Sequence, residues 1–203
     1  MLDKIYVFDD IIDLDYQNKI KKKLLGEEKF PWYYIEDVSS SDSGNQKRGG
    51  FTHGYVNEDG IESDYHYLFL DLIKKSCSKI ELKEVNAILG RSFLQLPSNI
   101  KKQDVDTPHT DIPVDHFVML YYVCDSDGDT IIYNEKCRDL NEFNNNLKVV
   151  EKTRFSIQRK ITPKQGRVVL FNGRLYHTAE QPNHNMRCIV NYDLRDLSVD
   201  SHI

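Results

Sequence analysis

The spacing of apolar residues changes character twice along this chain. Residues 4–8 (Lys-Ile-Tyr-Val-Phe) read as a short strand. Tyr16, Ile20 and Leu24 then recur at helical spacing, with Lys19, Lys21, Lys22 and Lys23 on the wet side. Asp13 or Asp15 offers an N-cap for this helix and Gly26 a stop. The aromatic run 30–35, with Pro31 near its start, reads as a strand. Residues 39–60 lack periodicity and read as a long loop, either a lid over a site or a disordered segment. A second helix is predicted over 63–77, with Tyr65, Leu68, Phe69, Leu72 and Ile73 on one stripe. From Glu84 onward the texture is short β-type runs: 85–89, 92–96, 117–123, 130–133, 147–150, 154–161, 167–171, 177–179 and 187–193. Strands at this spacing suggest a barrel or sandwich with the two helices packed outside it, a mainly β (α+β) fold.

Composition narrows the picture modestly. A chain of 203 residues fits a single domain, with 1–83 as a helical and lid support region and 84–195 as the β core. Such a chain buries roughly 70% of the surface it exposes when unfolded. The 39% hydrophobic and 11% aromatic content supplies that core. A net charge of −5 argues against a surface built to grip polyanions, so nucleic acid is not the expected partner. Cys77, Cys124, Cys137 and Cys188 are scattered with no CxxC, the pattern of reduced thiols. There is no N-terminal apolar leader and no run of eighteen apolar residues, so a soluble, cytoplasmic protein with no membrane partner is expected.

The chemistry concentrates at His109-Thr110-Asp111, His177 and Arg187. Two imidazoles and a carboxylate can occupy one face of an octahedral metal ion and leave the opposite positions open, the ligand set of non-haem Fe(II) oxygenases. With seven His in the chain an HxD pair is weak by itself. Its context raises it. Pro108 biases residue 107 to an extended shape, residues i and i+2 of an extended stretch share a face, and a strong strand follows at 118–123. His177 follows an apolar strand at 167–171, and the turn at 181–185 brings Arg187 back beside it, a fixed cation for the far end of a chelating acid. The alternative for Arg187 is a surface cation on a strand.

Other signals carry less. Asp125-Ser-Asp127-Gly128-Asp129 has its Gly at the fourth position, so it reads as a charged turn and not as an EF-hand loop. Asp115 and His116 sit near the triad as loop surface, as substrate contacts or as partners that support the metal ligands, His66 reads as structural and His184 as a turn residue. GxSxG, Walker A and GxGxxG motifs are absent.

His109-Thr-Asp111, Tyr121-Tyr122-Val123, Gly128-Asp129-Thr130, residues 161–171, His177 and Arg187 occur in the order seen in 2-oxoglutarate/Fe(II) dioxygenases, and from about Arg91 to Asp193 the chain most resembles the prolyl 4-hydroxylase-type branch. The resemblance implies a double-stranded β-helix (jelly-roll) core and Fe(II) held by His109, Asp111 and His177. It places Arg187 against the C5 carboxylate of 2-oxoglutarate and Tyr122 on the same group, although strand alternation leaves only one of Tyr121 and Tyr122 facing inward. It further implies O2 as oxidant, with ascorbate an accessory reductant, and hydroxylation of an unactivated C–H with succinate and CO2 as co-products. Peptidyl proline or a small molecule would be the substrate. Two departures stand out. Leu96-Pro97 lies where close prolyl hydroxylases carry a Tyr, and Asp193 stands where the nucleic-acid demethylase branch has a second Arg. The competing readings are a catalytically silent jelly-roll binding module and a cupin-like metalloenzyme that uses no 2-oxoglutarate.

Overall fold

The computed structural model describes residues 4–26, 29–38, 48–97 and 105–197. In chain order the elements are β1 (Tyr6–Phe8), α1 (Leu14–Leu25), β2 (Tyr33–Ile35), β3 (Gly50–Asn57) and β4 (Gly60–Ile61). A 3-10 turn at Asp64–Phe69 then runs into α2 (Leu70–Ser78), followed by β5 (Val85–Gln95), β6 (Phe117–Tyr122) and β7 (Thr130–Lys136). The chain continues through α3 (Leu140–Asn144), α4 (Asn146–Lys152), β8 (Ile157–Ile161), β9 (Val168–Asn172), β10 (Leu175–Ala179) and β11 (Arg187–Asp196). Asp13, not Asp15, caps α1: its side chain accepts the Tyr16 N–H at 2.8 Å.

The strands form two antiparallel sheets. The larger runs β1-β9-β6-β11-β5-β3-β2, with β4 paired to β3, and the smaller runs β10-β7-β8. Each face of the larger sheet has its own core. One collects Ile20 and Leu24 of α1, Leu72 and Ile73 of α2, and Met119, Tyr121, Val190 and Tyr192 of the sheet. The other collects Val118, Leu120, Tyr122, Val169, Phe171 and Ile189 with Ile132 and Leu175 of the smaller sheet. Alternation along β6 therefore decides between the adjacent tyrosines: Tyr121 lies under the helices and Tyr122 between the sheets. A third cluster on the far side of the smaller sheet joins Ile131, Tyr133 and Tyr176 to Phe143 and Val149 of the short helices.

Three sequence expectations change. Within the loop expected at 39–60, residues 50–57 are β3, while 39–47 lie outside the described residues. β3 is held by ladders to β2 and β5, so its pairing partners, not its own pattern, make it a strand. Residues 147–150, read as a strand, lie in α4, whose Val149 packs with Phe143 in the third cluster. Residues 85–89 and 92–96, read as two strands, are the single strand β5. Gly90 does not break it, because Tyr192 of β11 fills the place a side chain would take: a Cβ there would lie 2.4 Å from the Tyr192 ring. Among the described residues no helix is long and apolar enough to cross a membrane.

Candidate metal centre

The outer edge of β10 positions the candidate metal ligands. His109 and His177 form an antiparallel bridge, with backbone bonds of 3.0 and 2.9 Å exchanged between them, and Val105 bridges Glu180 further along the same edge. This bridge sets the two imidazoles side by side, ring centroids 4.8 Å apart. Both rings are oriented alike: Nδ1 of His109 faces the Thr107 carbonyl at 3.0 Å and Nδ1 of His177 faces that of Leu175 at 3.1 Å. A carbonyl only accepts, so each Nδ1 carries a proton and Nε2 is the nitrogen that each ring turns to the cluster, as a metal-binding histidine requires. Phe171 meets the His177 ring edge-on at 5.2 Å and holds it.

Asp111, two residues past His109, completes the group. Its Oδ2 lies 3.3 Å from His177 Nε2, and one ligand atom from each of the three residues falls within 4.8 Å of the others. Arg91 Nη2 donates to Asp111 Oδ1 at 2.7 Å and Asn191 Nδ2 to Oδ2 at 3.3 Å. Burial by itself would raise the Asp111 pKa, but the His177 hydrogen bond and the charges of His177 and Arg91 outweigh it and hold the carboxyl well below its usual range. Burial, assisted by His177, pulls His109 below the ordinary imidazole value. Both shifts favour the deprotonated forms that bind metal. The donor set and the orientation of its rings fit a divalent ion of the Fe(II) type.

A cleft of about 630 Å³ between the sheets connects this cluster to Arg187. Arg187 is only 3% exposed and donates to three neutral acceptors: Nε to the Gly128 carbonyl at 3.1 Å, Nη1 to Gln95 Oε1 at 3.1 Å and Nη2 to Thr130 Oγ1 at 2.8 Å. Among the described residues no carboxylate lies within ion-pair distance of it. Burial lowers its pKa, yet a guanidinium starts so high that it stays charged. A buried cation whose described partners are all neutral acceptors, with two of its five N–H groups left over, has the chemistry to receive a carboxylate.

His109, Asp111, His177 and Arg187 all line the cleft. Tyr122 stands behind the wall, its hydroxyl donating to Thr130 Oγ1 at 2.7 Å and its ring beneath the Arg187 guanidinium, 5.9 Å from the ring centroid. Sequence reasoning missed Arg91, Gln95, Thr130 and Asn191. For Gln95 strand alternation was the available signal. On β5 the cleft receives Arg91, Phe93 and Gln95, whereas Leu96 is half exposed outside it. The Asp127 turn also gains a role. Its carboxylate accepts backbone N–H groups of Asn183, His184 and Asn185 at 3.0–3.3 Å, tying the two turns whose neighbours Gly128 and Arg187 meet. His116 is buried behind the triad, its Nε2 3.5 Å from Asp193 Oδ1.

No protein-family model matches the sequence, and no curated protein sequence matches it. Solved structures do resemble it. An oxidoreductase of the 2OG-Fe(II) oxygenase family from Burkholderia pseudomallei superposes with a TM-score of 0.65 at 11% identity, over 95% of this chain and 85% of that one. A Trichoplax adhaerens prolyl hydroxylase, in complex with a hypoxia inducible factor oxygen degradation domain peptide, gives 0.61 at 13% identity, over 98% and 87%. The epimerase SnoN, in complex with Fe3+, alpha ketoglutarate and nogalamycin RO, gives 0.57 at 10% identity, over 95% and 78%. The architecture of this chain is thus that of the solved 2OG-Fe(II) oxygenases, prolyl hydroxylases among them.

Proposed function

We propose that this protein is an Fe(II)- and 2-oxoglutarate-dependent dioxygenase that hydroxylates an unactivated C–H, and that its two sheets are a double-stranded β-helix. One observation carries the reading: a His-Asp-His cluster and a buried Arg that has no carboxylate partner among the described residues face one cleft. His109, Asp111 and His177 would hold the iron, which when bound supplies the one-electron and O2 chemistry that no side chain can. Arg187 and Thr130 bind the distal carboxylate of the co-substrate, and Gln95 orients the guanidinium. Val118, Leu120, Phe171 and Ile189 wall the cleft with apolar surface and keep water from the reacting centre. The protein's remaining task is to hold one substrate C–H in line, a matter of positioning.

For the substrate we favour a peptidyl proline over a small molecule. The cleft lining includes the polar residues Thr52, Asn144 and Asn146. The peptide complex of the Trichoplax neighbour supports the same choice.

The test is an anaerobic titration with Fe(II) and then 2-oxoglutarate, following the visible charge-transfer band of the chelate. The band is expected with wild type and absent with Asp111→Ala. Arg187→Ala should still bind iron but weaken 2-oxoglutarate about 10- to 150-fold, the loss of a charged hydrogen bond of about 1.5–3 kcal/mol. Iron binding without a band in the wild type would instead favour a silent module or a cupin-like metalloenzyme that uses no 2-oxoglutarate.

A further inference from the structure

The cation that faces Asp111 comes from another strand. On β11 the alternate residues Arg187, Ile189 and Asn191 line the cleft, and Asp193, next on that face, is an acid paired with His116. β5 supplies the charge instead, because Arg91 stands directly opposite Asn191 in the β5–β11 ladder. The two side chains grip one carboxylate from the same rung: Arg91 takes Oδ1 at 2.7 Å, and Asn191 donates to Oδ2 at 3.3 Å. Only Oδ2 lies beside His177 Nε2, at 3.3 Å. The Arg91 guanidinium rests over the Phe93 ring, 5.0 Å from its centroid, which fixes its plane.

A carboxylate can bind a metal ion through one oxygen or through both. Through both, with two imidazoles, it would fill four of six positions, and a two-point chelator would leave none. Through one, it leaves a position free beyond the chelator. Resting on the function proposed above, we propose that Arg91 is a positioning residue that holds Asp111 to one-oxygen coordination and so keeps the last position at the metal open. Asn191 sets the plane of the same carboxylate. An ordinary structural ion pair would stabilise the fold without controlling how many ligands the metal accepts.

Nitric oxide is the probe, since it occupies the position left for O2 and its complex with Fe(II) gives a distinctive high-spin EPR signal. Wild type, Arg91→Met and Arg91→Lys are loaded anaerobically with saturating Fe(II) and 2-oxoglutarate, checked by the visible band, and titrated with nitric oxide. Arg91→Met, which keeps the packing on Phe93 and loses the donor, is expected to lose nitric oxide affinity about tenfold or more, within the range for groups that orient a metal ligand. Arg91→Lys, which keeps an N–H within reach of Oδ1, should recover most of it. Nitric oxide binding by Arg91→Met equal to wild type would overturn the proposal, as would a Lys variant no better than Met. Arg91→Leu takes the place of Met if the latter does not fold. Absence of the band in wild type would strike the proposed function itself, a result distinct from either.

Discussion

Thr130 accepts hydrogen bonds from both Tyr122 and Arg187, so its own proton is left to donate into the cleft. Thr130→Val keeps the shape and removes that donor. It is expected to raise the 2-oxoglutarate Kd about tenfold, by loss of a hydrogen bond to a charged group, with kcat at saturating 2-oxoglutarate little changed. A Kd equal to wild type would remove Thr130 from the carboxylate site. The Asp193–His116 pair makes a different prediction. Burial drives Asp193 well above the carboxylate range and His116 below the imidazole value, so the pair is neutral with its proton on the carboxyl. A raised folded pKa means that the stability from this group is fully present below the unfolded carboxylate value and is lost as pH rises, because folding must take up a proton. Asp193→Asn mimics the protonated acid without that uptake. Its urea midpoint should therefore exceed that of wild type by a margin that grows from pH 5 to pH 8. A margin that shrinks with pH would show an imidazolium–carboxylate pair instead.

Turns and strand edges, at the scale of elements, decide where these residues stand. The turn before β9 is one. Gly166 has φ +82°, a conformation that residues with a Cβ rarely adopt, and a Cβ there would lie 2.4 Å from the Gln17 side chain of α1. Gly166→Ala is expected to destabilise the fold by about 1–3 kcal/mol, read as a lower thermal midpoint. An unchanged midpoint would mean that the turn relaxes freely. The antiparallel edge of β10 is the other, since it turns an HxD in extended chain into a ligand pair for His177. Element patterns in the sequence were clear wherever one face was buried. α1 was legible from its single apolar stripe, and β6, β9 and β11 as near-continuous apolar runs, because both faces of their sheet carry a core. β3 and α4 were not. Gly50, His53 and Gly54 carry no strand signal, and Leu147-Lys148-Val149-Val150 is too short to tell a strand from a helical turn.

For the whole molecule, the cleft lies between two sheets that share an apolar core, and anything bound there holds them together. Fe(II) with 2-oxoglutarate at about one hundred times its Kd should add about 2.7 kcal/mol of stability. In a chain of this size that corresponds to a rise of roughly 5–10 °C in Tm. The rise should be measurable under anaerobic conditions and abolished by a chelator or by Asp111→Ala. A Tm insensitive to both ligands would argue against a site between the sheets.

Residue types and their order pointed to the proposed chemistry in advance. His109, Asp111, His177 and Arg187 could be named because metal and carboxylate binding demand particular side chains, and those demands are visible in one dimension. Arg91, Gln95, Thr130 and Asn191 had no such signature, because each acts only through a partner distant in the chain. Arg91 meets Asp111 twenty residues on, Gln95 meets Arg187 ninety-two residues on, and Asn191 meets Asp111 across eighty. The choice of Tyr122 over Tyr121, and of β5 as the source of the cation, followed from register, and register is set when two strands pair and not by either strand alone.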